Sequence, residues 1–171
     1  MRKNSAQAVV AAGLPEVYPR LWRFCLVLCR NRTLADDLAQ NTCARALEKA
    51  AQFTPGTHLD RWLFTMARRL WLNDQRASKV RDGQGVVSID DAELPDGAPG
   101  PETNILAREV FTMIQALPEG QRMAALLVYV EGQSYREAAA ILDIPVGTVM
   151  SRLSTVRKTI NGRMTEARDQ G

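Results

Sequence analysis

Arg61, Arg68, Arg69 and Arg76 are spaced so that, at about 100° per residue on a helix, they share an arc of roughly 100° with Thr65 and Leu72. A row of guanidinium groups on one helix face suits the tracking of phosphates, because each offers a fork of donors to oxyanions. Immediately upstream stands Phe53-Thr54-Pro55-Gly56-Thr57-His58, a break that precedes the helix. Phe53, Trp62, Phe64 and Trp71 lie close by and are able to brace a loop that takes unstacked bases. Packing into a core is the stronger reading for these aromatics, and a solvated helix face is the competing one for the arginines.

A second constellation lies near the end, from Tyr135 through Ala139, Leu142, Asp143-Ile144-Pro145 and Val146 to Leu153. Ala139 is small where two helix backbones must approach, and Leu142, Ile144, Val149 and Leu153 supply the wedge between them. Asp143-Ile144-Pro145 ends the first helix before the second begins, which is the pattern of a helix-turn-helix. On the second helix Val149, Leu153, Val156 and Ile160 form one stripe, while Thr148, Ser151, Arg152 and Thr155 form another. The polar stripe suits base edges and phosphates, with Met150 beside it and Arg157 and Lys158 extending the positive charge. An amphipathic hairpin with a solvated polar face is the alternative.

Catalysis finds no support in these residue types. There is no glycine-rich phosphate loop and no paired ligand motif, and the sole histidine, His58, has no partner at a metal-binding spacing. No metal and no cofactor are expected, and the chain is read as a binding protein rather than an enzyme. Three cysteines do not make a disulfide framework. Cys25 and Cys29 share an apolar helix face with Leu21 and Leu28 and read as buried thiols; whether they or Cys43 have a redox role stays open.

The elements that must position these groups are all helical. Apolar residues recur at helical spacing from Val17 to Leu28 and from Leu34 to Leu47, with Thr33 as the expected cap of the second helix and Asp36 and Asp37 at its positive end. A third helix is predicted from about Leu59 to Ser78, with Leu63, Met66 and Leu70 opposite the arginines. No strand pattern competes. The fold class expected is all-α: two small helical domains joined by a flexible acidic linker, the second a helix-turn-helix domain.

Charge divides the chain in the same places. Residues 1 to 81 hold 14 Lys and Arg against 6 Asp and Glu, residues 82 to 107 hold 6 acids and no base, and residues 108 to 171 hold 8 bases against 7 acids. The overall charge of +3 therefore conceals a basic domain, an acidic tether and a near-neutral domain. Gly83, Gly85, Pro95, Gly97, Pro99, Gly100 and Pro101 give the middle segment a linker's turn chemistry. It reads either as a solubilising spacer or as an extended acidic strand that imitates a nucleic-acid backbone in a basic channel. No apolar run approaches a membrane span, and the short Ala/Val stretch after Met1-Arg2-Lys3 is too brief for a signal peptide, so a cytoplasmic protein is expected.

Two blocks taken together carry a resemblance. The first is Asp36-Asp37-Leu38-Ala39-Gln40-Asn41-Thr42 with Phe53 and Arg61-Trp62-Leu63-Phe64-Thr65-Met66-Ala67-Arg68-Arg69. The second runs from Ala116-Leu117-Pro118 through Glu131-Gly132-Gln133-Ser134-Tyr135 into Pro145-Val146-Gly147-Thr148-Val149-Met150-Ser151-Arg152-Leu153. Their order, spacing and intervening linker, over about residues 13 to 165, resemble the extracytoplasmic-function class of bacterial RNA polymerase sigma factors.

That resemblance implies a specificity subunit that takes core RNA polymerase to promoter DNA. It implies a first domain over residues 13–81 that docks on the clamp helices of the beta-prime subunit through Asp37, Gln40 and Leu47. The same domain would read the minus-ten element through Thr54, Thr57, His58, Arg61, Arg68, Arg69, Asn73 and Arg76, holding a flipped non-template base. Residues 82–104 form the linker, and residues 105–168 a second domain that binds the beta flap. That domain would read the minus-thirty-five element through Thr148, Met150, Ser151, Arg152, Thr155, Arg157 and Lys158. An anti-sigma factor is a further expected partner, in a stress or envelope response.

The chain departs from the family pattern at two places. Gln40-Asn41-Thr42-Cys43 stands where many relatives carry Gln-Glu-Thr-Phe, and Met150 and Thr155 replace frequent basic residues. Fewer phosphate contacts imply a shallower salt dependence. Two other readings of the residues stand beside this one: a helix-turn-helix regulator that binds duplex DNA alone as a dimer, and a sigma-like decoy that titrates an anti-sigma factor.

Overall fold

The computed structural model describes residues 2–82 and 111–169, with side chains over 6–80 and 111–162. The chain divides into two compact units, Met1–Pro95 and Asp96–Gly171. Among the described residues the regular structure is entirely helical. The acidic linker expected over 82–104 falls, from residue 83 onward, outside the described residues.

The first unit packs α1 (Arg2–Cys29), α2 (Arg32–Glu48) and α3 (Leu59–Asp82) around one core. Periodicity traced α1 only from Val17; the helix begins at Arg2, with Ala6 and Val10 buried one turn apart. The small Ala6 and Gly13 weaken the apolar signal of that first half, yet the stripe Ala6, Val10, Gly13, Val17, Leu21, Phe24, Leu28 keeps helical spacing throughout. Pro15 and Pro19 lie inside the helix and each removes a backbone donor. The carbonyls that lose those partners belong to Ala11 and Pro15, both exposed residues, so neither lost bond falls in the core.

Asn31, not Thr33, caps α2: its backbone is extended and its side-chain oxygen accepts from Leu34 N–H at 3.0 Å. The helix therefore starts one residue before Thr33, and Asp36 and Asp37 lie beyond its first turn. Asp36 serves another purpose, accepting a hydrogen bond from the Trp22 indole of α1. Ala35, Leu38, Ala39, Thr42 and Ala46 form the buried face, and Thr42 settles its hydroxyl on the Leu38 carbonyl at 2.7 Å.

Helix α3 buries Asp60, Leu63, Phe64 and Ala67. The expected stripe of Leu63, Met66 and Leu70 is thus rotated, and Met66 and Leu70 are only half-buried. Phe64 causes the rotation: its ring stacks on Phe24 of α1, centroids 4.8 Å apart and 16° between planes. Such a pair adds about 0.5–1.5 kcal/mol beyond its area burial.

In the second unit residues 111–115 are helical, and Pro118 precedes α4 (Glu119–Ala125). The helix widens into a π segment, Leu126–Val130, and closes at Gly132, whose φ of 69° favours glycine. Ser134 opens α5 (Tyr135–Leu142) with a capping box: Glu137 N–H donates to Ser134 Oγ at 3.2 Å and Ser134 N–H to Glu137 Oε2 at 2.7 Å. Asp143 ends it in the left-handed conformation, φ 51°, and α6 (Val146–Asp169) follows Pro145. Ile114, Leu117, Leu126, Leu127, Leu142, Val149, Leu153 and Val156 are buried together in this unit.

Candidate nucleic-acid interface

In the first unit the segment between the 3-10 turn Ala50–Gln52 and α3 is a turn closed on itself. Thr57 donates to the Thr54 carbonyl twice, from N–H at 3.1 Å and from Oγ1 at 2.7 Å, while Gly56 takes a φ of 89° after Pro55. Proline then glycine at the two central positions is the signature of a type II turn. Thr54, Thr57 and His58 are all exposed at its tip.

Both ends of that loop are anchored. Phe53 is buried, its ring 5.2 Å from that of half-buried Trp62. At the other end Asp60 is buried and bridged by Arg20 of α1, Nη2 to Oδ2 2.9 Å. Phe53 and Phe64 are thus core residues, as the stronger sequence reading had it. Trp62 braces Phe53 beneath the loop, and Trp71 lies half-buried on α3.

The arginine side of α3 begins at the foot of this loop. Arg69, Asn73 and Arg76 are exposed, and Arg61, Thr65 and Arg68 half-buried. Thr65 turns its hydroxyl inward to the Arg61 carbonyl at 2.9 Å. Asp37 and Gln40 are exposed on α2, and Leu47 is 40% exposed, all on the side of α2 turned away from its buried residues.

The second unit has helix-turn-helix geometry. Helix α5 and the stretch of α6 from Val146 to Gly162 meet at 107°, within the range of such motifs. Ala139, Leu142, Val149 and Leu153 are buried at the junction, and Ile144 is half-buried. Ser151, Thr155 and Lys158 are exposed along the centre of the polar face, and Thr148 is half-buried at its start. Met150 is 52% exposed.

Arg152 and Arg157 of α6 flank that centre and each leans on a distant residue. Arg157 Nη1 donates to the Tyr129 hydroxyl at 2.9 Å, and a further bond to Tyr135 also favours its charged form. Arg152 is half-buried with its guanidinium over Gly120: a methyl group placed on that glycine would stand 2.8 Å from Arg152 Cζ. Sequence periodicity placed Arg152 and Arg157 on or beside the polar stripe but gave no sign of these partners.

Three thiols are free, with Cys25 and Cys29 buried and Cys43 half-buried. Burial pushes the Cys25 thiol far above its ordinary range, with Cys29 and Cys43 adding to the effect; burial also raises Cys43. Neutral thiols are poor nucleophiles. Among the described residues, no three His, Cys, Asp or Glu side chains gather as a metal site, and no single helix is long and apolar enough to cross a membrane.

Comparison with known proteins gives this geometry a family. Residues 16–81 match the model of Sigma-70 region 2, and residues 107–160 that of Sigma-70 region 4. The ECF RNA polymerase sigma factor EcfG of Rhodopseudomonas palustris is 37% identical over 145 residues, covering 84% of this chain and 78% of that protein. SigC of Mycobacterium tuberculosis, also an ECF sigma factor, is 35% identical over 145 residues, covering 82% of this chain and 75% of its own length. Among solved structures, the sigma factor RpoE of Bartonella quintana, in complex with the anti-sigma factor NepR, superposes with a TM-score of 0.74 at 28% identity. That match covers 91% of this chain and 96% of that one. With regions 2 and 4 in order along its length, the chain belongs to the extracytoplasmic-function class of RNA polymerase sigma factors.

Proposed function

We propose that this sigma factor docks on the beta-prime clamp helices through the outer face of α2, with Asp37, Gln40 and Leu47 in the contact. The loop at Thr54, Thr57 and His58 and the adjoining Arg61, Arg68, Arg69, Asn73 and Arg76 take the minus-ten element as a single strand. Thr148, Met150, Ser151, Arg152, Thr155, Arg157 and Lys158 face the minus-thirty-five element, and the second unit also meets the beta flap. The domain limits that go with this reading are 13–81 and 105–168, joined by a linker over 82–104. The observation that carries it is the exposed turn at Thr54–His58, anchored at both ends and followed at once by the arginine face of α3. Promoter opening needs such a place to capture a strand, whereas a duplex-only regulator does not.

The protein acts by binding, in the cytoplasm, and leaves the chemistry to the polymerase. An anti-sigma partner holds it inactive by covering polymerase-docking surfaces. The support for this is the solved complex of its relative RpoE with the anti-sigma factor NepR.

The test is transcription by purified core RNA polymerase, with and without the chain, on fragmented genomic DNA of its source, with the five-prime ends of the products sequenced. Discrete new starts that share upstream elements are expected. Absence of starts together with failure to bind core would move the regulator and decoy readings ahead.

A further inference from the structure

Leu59 and Asp60, the two residues directly after the Thr54–His58 turn, are each held by α1. Leu59 fills a notch at Gly13, where an added methyl group would stand 2.6 Å from Leu59 Cδ2. The Asp60 carboxylate is 11% exposed and meets Arg20 Nη2 at 2.9 Å, and the Arg20 guanidinium lies 5.8 Å from the centroid of the buried Phe64 ring. An acid in the first turn of a helix is favoured by the helix dipole when simply exposed to water. Burying it against a second helix costs desolvation energy, which a fixed cation must offset. What the arrangement gains is a defined position for the start of α3.

We propose that Arg20 is a positioning residue for promoter reading, and that α1, through Arg20 and the Gly13 notch, sets where the Thr54–His58 loop and the first arginine of α3 stand against the single strand. The inference rests on the reading above, in which that loop takes the minus-ten element. Because Thr57 is bonded back to Thr54, the loop follows its anchors as one body. Loss of the bridge removes the fixed cation from the Asp60 carboxylate and loosens the hold of α1 on the first turn of α3, and the loop shifts with that turn. Displacements of about 1 Å in a positioned group cost up to roughly a hundredfold in function.

The test uses full-length protein with core polymerase on a promoter from the start-site experiment and on a set bearing single substitutions in its minus-ten element. Strand opening is read by permanganate reactivity, alongside core affinity and thermal unfolding. Arg20→Ala is expected to lower opening about tenfold and flatten discrimination among minus-ten variants, with core affinity near that of the parent. Arg20→Lys should retain part of the discrimination, and the reversed pair Arg20→Asp with Asp60→Arg should restore most of it. Should Arg20→Ala not fold, Arg20→Lys and Gly13→Ala, which crowds Leu59, carry the same expectation of altered discrimination.

Parallel loss of core affinity, or discrimination unchanged in folded variants, overturns the positioning role. Thr57→Ala and His58→Ala separate the two levels. If they flatten discrimination while the Arg20 variants do not, only the positioning role falls. If they too leave discrimination intact, the loop does not read the element and both readings fall.

Discussion

Arg157 on α6 donates from Nη1 to the hydroxyl of Tyr129 at 2.9 Å, joining that helix to the end of the π segment across 28 residues of sequence. The bond orients the guanidinium without removing it from solvent, since both residues are exposed. If Arg157 neutralises a phosphate while so held, Arg157→Ala will reduce the slope of log affinity against log salt by about 0.9 in holoenzyme binding to duplex promoter. Tyr129→Phe should keep that slope and lower affinity slightly. An unchanged slope in Arg157→Ala would assign the arginine to bracing Tyr129 instead.

Gly120 and Arg152 form the opposite flank. Adding a methyl group at Gly120 drives out only the far end of a flexible side chain, and alanine is the better helix former by about 0.5–1 kcal/mol. Gly120→Ala is therefore expected to unfold at the same or a slightly higher temperature while changing minus-thirty-five binding, because Arg152 must take another position. Arg152→Ala should weaken promoter-specific initiation and leave core affinity near normal. Loss of core affinity would remove Arg152 from the DNA face.

Asp37 and Gln40 are exposed on α2, so changing both to alanine should alter thermal stability by no more than about 0.5 kcal/mol each. Core affinity is expected to fall about tenfold or more, as it does when central interface contacts are truncated. Titration against labelled core polymerase measures this directly, and unchanged affinity would take the pair off the docking surface.

Burial of Cys25 predicts an alkaline weakness. Its thiol is raised in the folded state, so its contribution is fully present below the unfolded thiol's ordinary value and is lost as pH climbs above it. Above about pH 8.5 one such thiol subtracts roughly 1.4 kcal/mol per pH unit. Thermal unfolding followed from pH 7 to about 10.5 should decline more steeply in the parent than in Cys25→Ala. Equal slopes would mean that the thiol ionises freely in the fold.

Local chemistry made much of this protein legible without coordinates. The end of α5 and the start of α6 follow from Asp143 and Pro145, each acting within a few residues of itself. The apolar stripe of α6 and the grouping of arginines on α3 follow from spacing alone, because side-chain direction on a helix is fixed by its period. The family resemblance rested on the same short-range blocks, and the matches to regions 2 and 4 bear it out.

What the tertiary structure decided involves partners far apart in the chain. The first half of α1 is packed although Ala6 and Gly13 are too small to announce a buried face. The buried stripe of α3 is turned toward Phe64 because Phe24 is there to stack on it, and Asp60 goes inside because Arg20 meets it. Arg152 and Arg157, equivalent in sequence as basic residues on one helix, part company over Gly120 and Tyr129. Periodicity fixes which way a side chain leaves its helix. Where the group at its end comes to rest depends on which neighbour offers space or an acceptor, and only the folded chain brings that neighbour into reach.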